Sequence, residues 1–161
     1  MNLRLLFILL LVFTAFPVQS EISSELKAFK GGSYQQLLSG NQGKPFILVL
    51  WSTTCTSCLK DMAIIRSLHE EMPKLKIVML ATDDVSEAEE VKSILKANNL
   101  TALDNWVFAD DDSQRLYYEI DPKWYGELPR AYFFTANHER TGVSGALSKE
   151  QFLSRLHSIQ P

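Results

Sequence analysis

Two cysteines, three histidines and seven glycines in 161 residues leave several chemistries without material. Two thiols cannot build a multi-disulfide framework. A closed zinc site takes about four ligands, and His69, His138 and His157 are scattered without metal-ligand spacing, so no metal is expected. No glycine-rich phosphate loop and no serine-centred nucleophile motif occurs, and no cofactor is expected. Asp110-Asp111-Asp112 lacks the alternating ligands and central glycine of a calcium loop; helix capping accounts for it. Lysine and arginine form no run, which argues against nucleic acid as a partner. Charges of both signs interleave around a net of −3, as on an ordinary solvated surface, and nothing repeats. A second long apolar stretch is missing too; the one present opens the chain.

That stretch reads as an export signal. Met1 to Arg4 is a short basic start, Leu5 to Phe16 is apolar apart from Thr14, and Val18-Gln19-Ser20 offers small residues where cleavage occurs. Removal is expected after Ser20. The apolar core falls short of the roughly 20 residues that span a bilayer; an uncleaved, membrane-anchored leader is the alternative. No cysteine lies near the site, which excludes a lipoprotein. The division is therefore 1–20, signal peptide, and 21–161, one domain able to bury a core unaided. Its location is periplasmic or otherwise extracytoplasmic, and it is expected to be a monomer.

What the chain does have is Cys55-Thr56-Ser57-Cys58, directly after the apolar run Pro45 to Trp51. A strand feeding a helix that opens on a C-x-x-C pair is the context of a thiol redox motif. One thiol can attack a disulfide and the other can resolve the mixed intermediate. A purely structural bridge is the competing reading, but closing so short a loop removes little unfolded-state entropy. Cys55, at the helix start, faces unpaired N–H groups and the positive end of the macrodipole, which favour a thiolate. Such placement commonly lowers a cysteine pKa from about 8.5 to roughly 3.5–7.5. Cys58, one turn further in, is expected to be more buried and to act as the resolving thiol. Asp61 follows it by three residues and can share its helical face.

Periodicity supplies the rest. A lead-in strand or turn precedes a short helix around Tyr34 to Leu38. Phe46 to Trp51 and Lys76 to Thr82 read as strands buried on both faces. Thr56 to Met72 is an amphipathic helix ending before Pro73. Ser86-x-x-Glu89 predicts a capping box opening a helix to Asn98 that buries Ala88, Val91, Ile94 and Leu95. Trp106 to Ala109 is a short strand, and Asp110 to Ser113 caps a helix through Tyr118. Arg130 to Thr135 and Thr141 to Ser144 form a hairpin. Ser148-x-x-Gln151 opens a last helix burying Phe152, Leu153, Leu156 and Ile159. This order implies an α/β fold in three layers, a central mixed β-sheet flanked by helices.

Three segments carry a resemblance to the thioredoxin-like superfamily, and more closely to its exported TlpA/ResA-like branch. Gly43 to Asp61 is similar to the family's strand, tryptophan, redox pair and following acidic residue. Phe108 to Tyr118 resembles the branch's inserted strand and helix. Gly126 to Phe134 resembles the segment in which a cis-proline opens a strand facing the pair. The resemblance implies a thioredoxin-like fold and a catalytic set of Cys55, Cys58 and Asp61, with Asp61 tuning the thiols and accepting the resolving proton. It implies substrate contact at Leu128 and Pro129, whose backbone would pair with an extended partner. Trp51 is expected to pack below the pair, with substrate contact second. Trp124 and Tyr125 are candidates for an apolar lip against a protein partner, with core packing the equal alternative. Val49 stands where cytoplasmic thioredoxins place a buried aspartate, and Thr54 where an aromatic commonly precedes the first cysteine; Thr56-Ser57 lacks the proline often found between the cysteines, and Ala63 stands where the family often has a helix-kinking proline. The implied partners are protein disulfides, with a membrane thiol transporter as reductant and cytochrome c maturation as one destination. An oxidase or isomerase, or a non-catalytic binding module, is the alternative.

Overall fold

Six strands and five helices occupy the region that the computed structural model describes, residues 25–159. The expected signal, 1–20, lies outside the described residues. Among the described residues no helix is long and apolar enough to cross a membrane.

β1 (Lys27–Phe29) and α1 (Ser33–Gly40) lead into β2 (Phe46–Trp51) and α2 (Thr56–Glu71). β3 (Lys76–Asp84) and α3 (Ala88–Ala97) follow, then β4 (Asp104–Phe108) and α4 (Ser113–Ile120). The hairpin β5 (Arg130–Phe134) and β6 (Arg140–Ser144) precedes α5 (Lys149–Ile159). The sheet order is β1-β4-β3-β2-β5-β6. The first four strands in that order run parallel, and β5 and β6 are antiparallel to their neighbours.

Alternation along the central strands makes two cores. Ile47, Val49 and Trp51 of β2 join Ile77, Met79 and Ala81 of β3 and Phe133 of β5. Met62 and Ile65 of α2, Val91 and Leu95 of α3, and Phe152 and Leu156 of α5 cover that face. Phe46, Leu48 and Leu50 point the other way, with Val78, Leu80, Tyr132 and Phe134, under Tyr34 and Leu37 of α1 and Leu116 and Ile120 of α4. All six residues of β2 are buried because helices cover both faces of the strand. The expected three layers are present.

Three details differ from the sequence reading. β3 runs to Asp84 and β4 begins at Asp104, because pairing with neighbours extends both beyond their apolar runs. The Ser86 capping box does not form. Asp84 instead accepts the Ser86 N–H at 2.9 Å and its hydroxyl at 2.6 Å, and a 3-10 turn, Val85–Glu87, precedes α3. Ala88, Ile94 and Leu153 are only half-buried, since they sit at the margins of their apolar stripes.

Candidate active site

β2 ends at Trp51 and the chain turns through Ser52, Thr53 and Thr54 into α2. Cys55 is the N-cap of that helix, in extended conformation, and its sulfur accepts the Cys58 N–H at 3.2 Å. A sulfur thus takes the place of the usual capping oxygen, using one of the donors that a helix start leaves unpaired. The Ser57 hydroxyl lies 3.5 Å from the same sulfur. Cys55 and Cys58 are joined as a disulfide, their Cα atoms 5.2 Å apart. The two ends of that bond differ in access: Cys55 is half-buried, whereas Cys58 is 2 % exposed and belongs to the core beneath α2. After reduction, a thiolate at Cys55 would keep a charge-assisted bond from the Cys58 amide.

Asp61 is the acidic side chain on the buried face of α2, 8 % exposed. Burial pushes its carboxyl above the ordinary value, and a hydrogen bond from the Leu147 backbone partly opposes that rise. A carboxylate made more basic in this way is a better proton acceptor near neutral pH. It lies one helical turn beyond Cys58, on the same side of the helix.

The Leu128–Pro129 bond is cis. Arg130 pairs with Leu50 across the β2–β5 ladder, so Pro129 stands level with Trp51, beside the turn that carries Cys55. The Pro129 carbonyl is already taken, accepting the Gly145 N–H at 2.8 Å. Gly145 reaches it with φ 93°, a conformation glycine adopts without cost. Leu128, the residue before Pro129, packs half-buried against both cores.

Two aromatic side chains lie in the core. Trp51 is 1 % exposed and packs in the apolar layer that also holds Cys58, the core position expected of it first. Trp124 is likewise buried, its indole N–H donating to the Glu127 carbonyl at 3.0 Å, so only Tyr125, 91 % exposed, is left of the expected lip. The sequence reading missed Asp83, at the end of β3, whose carboxylate accepts from Ser52 and Thr53. The available signal was an acid closing a buried strand and three consecutive hydroxyl residues before the cysteine. Among the described residues no cluster of three or more His, Cys, Asp or Glu side chains is placed to hold a metal ion.

No family model matches the sequence, and no curated protein matches it. Solved structures do match, and the fold they share is thioredoxin-like. A secreted Mycobacterium tuberculosis disulfide oxidoreductase homologous to E. coli DsbE aligns at 21% identity and TM-score 0.59, over 74% of this chain and 85% of its own. StoA from Bacillus subtilis aligns at 21% identity and TM-score 0.53, over 71% and 83%. A secreted thiol-disulfide isomerase from Corynebacterium glutamicum aligns at 15% identity and TM-score 0.62, over 76% and 74%. This chain shares their fold.

Proposed function

We propose that this protein is an exported thiol-disulfide oxidoreductase that reduces disulfides in other proteins. The observation that carries the reading is the unequal pair at the start of α2, an accessible Cys55 capping the helix and an inaccessible Cys58 bonded to it. In the reducing direction, the Cys55 thiolate attacks one sulfur of a partner disulfide and expels the other as a thiolate, which takes a proton. The mixed disulfide joins Cys55 to the partner. Cys58 then gives its proton to Asp61 and attacks the Cys55 sulfur, releasing the second partner thiol. Two electrons have passed to the partner, and the Cys55–Cys58 disulfide remains. Leu128 and Pro129, level with the end of β2, would hold the partner segment against the pair.

An apolar N-terminal signal and the secreted character of two of the similar structures support export. A membrane thiol transporter would return the electrons, and cytochrome c maturation is one process that needs such a reductase. Insulin reduction tests the reading: wild type with dithiothreitol should accelerate precipitation of the insulin B chain, and Cys58→Ser should lose that turnover. Equal rates with and without the protein would leave a binding module as the answer.

A further inference from the structure

Four hydrogen bonds run from the turn ahead of Cys55 into one carboxylate. Asp83 Oδ1 accepts the Ser52 hydroxyl at 3.1 Å and the Thr53 hydroxyl at 2.7 Å, and the Thr53 N–H reaches both Oδ1 and Oδ2 at 3.1 Å. A hydroxyl has a single proton. With that of Ser52 committed to Asp83, its oxygen is free to accept the Thr54 N–H at 3.2 Å and the Thr54 hydroxyl at 3.0 Å. The Cys55 N–H closes the turn on the Ser52 carbonyl at 3.1 Å. Every residue from Ser52 to Cys55 is thus linked, directly or through one neighbour, to Asp83.

The sheet is shaped for this contact. Pairing between β3 and β4 shifts register between Ala81 and Asp84, leaving Thr82 and Asp83 outside the regular ladder. Such irregularities re-aim side chains at strand ends. Apolar packing cannot hold the turn in their place, since Ser52 and Thr53 are half-buried and Thr54 is exposed.

We propose that Asp83 is a positioning residue for the redox pair: it ties Ser52-Thr53-Thr54 to the end of β3 and so fixes where Cys55 meets the first turn of α2. The inference rests on Cys55 being the attacking thiol. Asp83 acts through the loop, and its geometry matters more than its charge, which by itself would oppose a nearby thiolate.

Alkylation of reduced full-length protein with iodoacetamide across pH 5 to 9, with Cys55 followed by mass spectrometry, separates the possibilities. Asp83→Ala, which removes the acceptor, should slow Cys55 alkylation at pH 7 by about tenfold and move the half-point upward. Asp83→Asn, which keeps an acceptor and removes the charge, should stay within about twofold of wild type. Ser52→Ala with Thr53→Val, which removes the two hydroxyl bonds and keeps those of the Thr53 N–H, should slow Cys55 in the same direction but by less than Asp83→Ala, and adding Asp83→Ala to that pair should bring it to the level of Asp83→Ala alone. The pair also carries the test if Asp83→Ala does not fold. Asn and Ala variants behaving alike, or Asp83→Ala following the wild-type curve while melting earlier, would overturn the inference. A wild-type Cys55 with the half-point of an ordinary thiol, about 8.5, would instead overturn the functional reading and this inference with it.

Discussion

Asp61 owes its chemistry to where α2 buries it. Its carboxyl is held above the ordinary 3.8 because burial penalises the charge more than the Leu147 amide rewards it. The folded protein therefore holds this proton more tightly than the unfolded chain does. The associated stability is present below the unfolded value and is lost as pH rises through the folded one. Asp61→Asn keeps an acceptor for Leu147 and removes the charge. In urea titrations it should be more stable than wild type at pH 7, with the gain vanishing by about pH 3. The same substitution should change the pH dependence of thiol reactivity; a superimposable profile would remove the proton-acceptor role. The cysteine pair and Asp61 were legible because local spacing places all three on one helix. Asp83 and Leu147 were not, since each reaches the site across a long stretch of chain.

Helix starts show how far a local motif can be read. Ser148 and Gln151 form the expected reciprocal box, Ser148 N–H to the Gln151 side chain at 2.8 Å and Gln151 N–H to Ser148 Oγ at 3.3 Å. The same pattern at Ser86 fails because Asp84, two residues upstream, captures both Ser86 donors first. Short-range competition among acceptors decided the outcome, and the capping pattern contains no term for it. Ser148→Ala should consequently cost about 1 kcal/mol of unfolding free energy. Glu89→Ala, which loses only the exposed pair with Lys92, should stay within about 0.5 kcal/mol of wild type. Equal losses in denaturant titrations would contradict this assignment of the caps.

Across the whole molecule, Asp121 joins α4 to the hairpin of β5 and β6. It follows α4 and accepts the Tyr132 hydroxyl at 2.8 Å, with Arg130 at 3.4 Å and Arg140 at 3.6 Å. The two guanidiniums lie over the Tyr132 ring. Burial alone would raise the Asp121 carboxyl, but the Lys123 amide, Tyr132, Arg140 and Arg130 together hold it below the ordinary 3.8. Its contribution is complete above that value and is lost as pH falls through the depressed one. Asp121→Asn should therefore flatten the acid limb of the stability curve below about pH 4, and Tyr132→Phe should cost about 1–2 kcal/mol at neutral pH. Layer order and strand type were readable from apolar periodicity and element order. This hub was not, because its members belong to three separate elements and each is an ordinary polar residue in its own segment.

The sulfur that bonds to a partner is the most direct measure of the account. Reduced Cys58→Ser protein, mixed with a disulfide-bonded protein and quenched with acid, should accumulate a covalent complex that peptide mapping places on Cys55. Cys55→Ser under the same conditions should form none. A complex carried by Cys58, or equal trapping by both variants, would contradict the claim that the capping cysteine is the one that attacks.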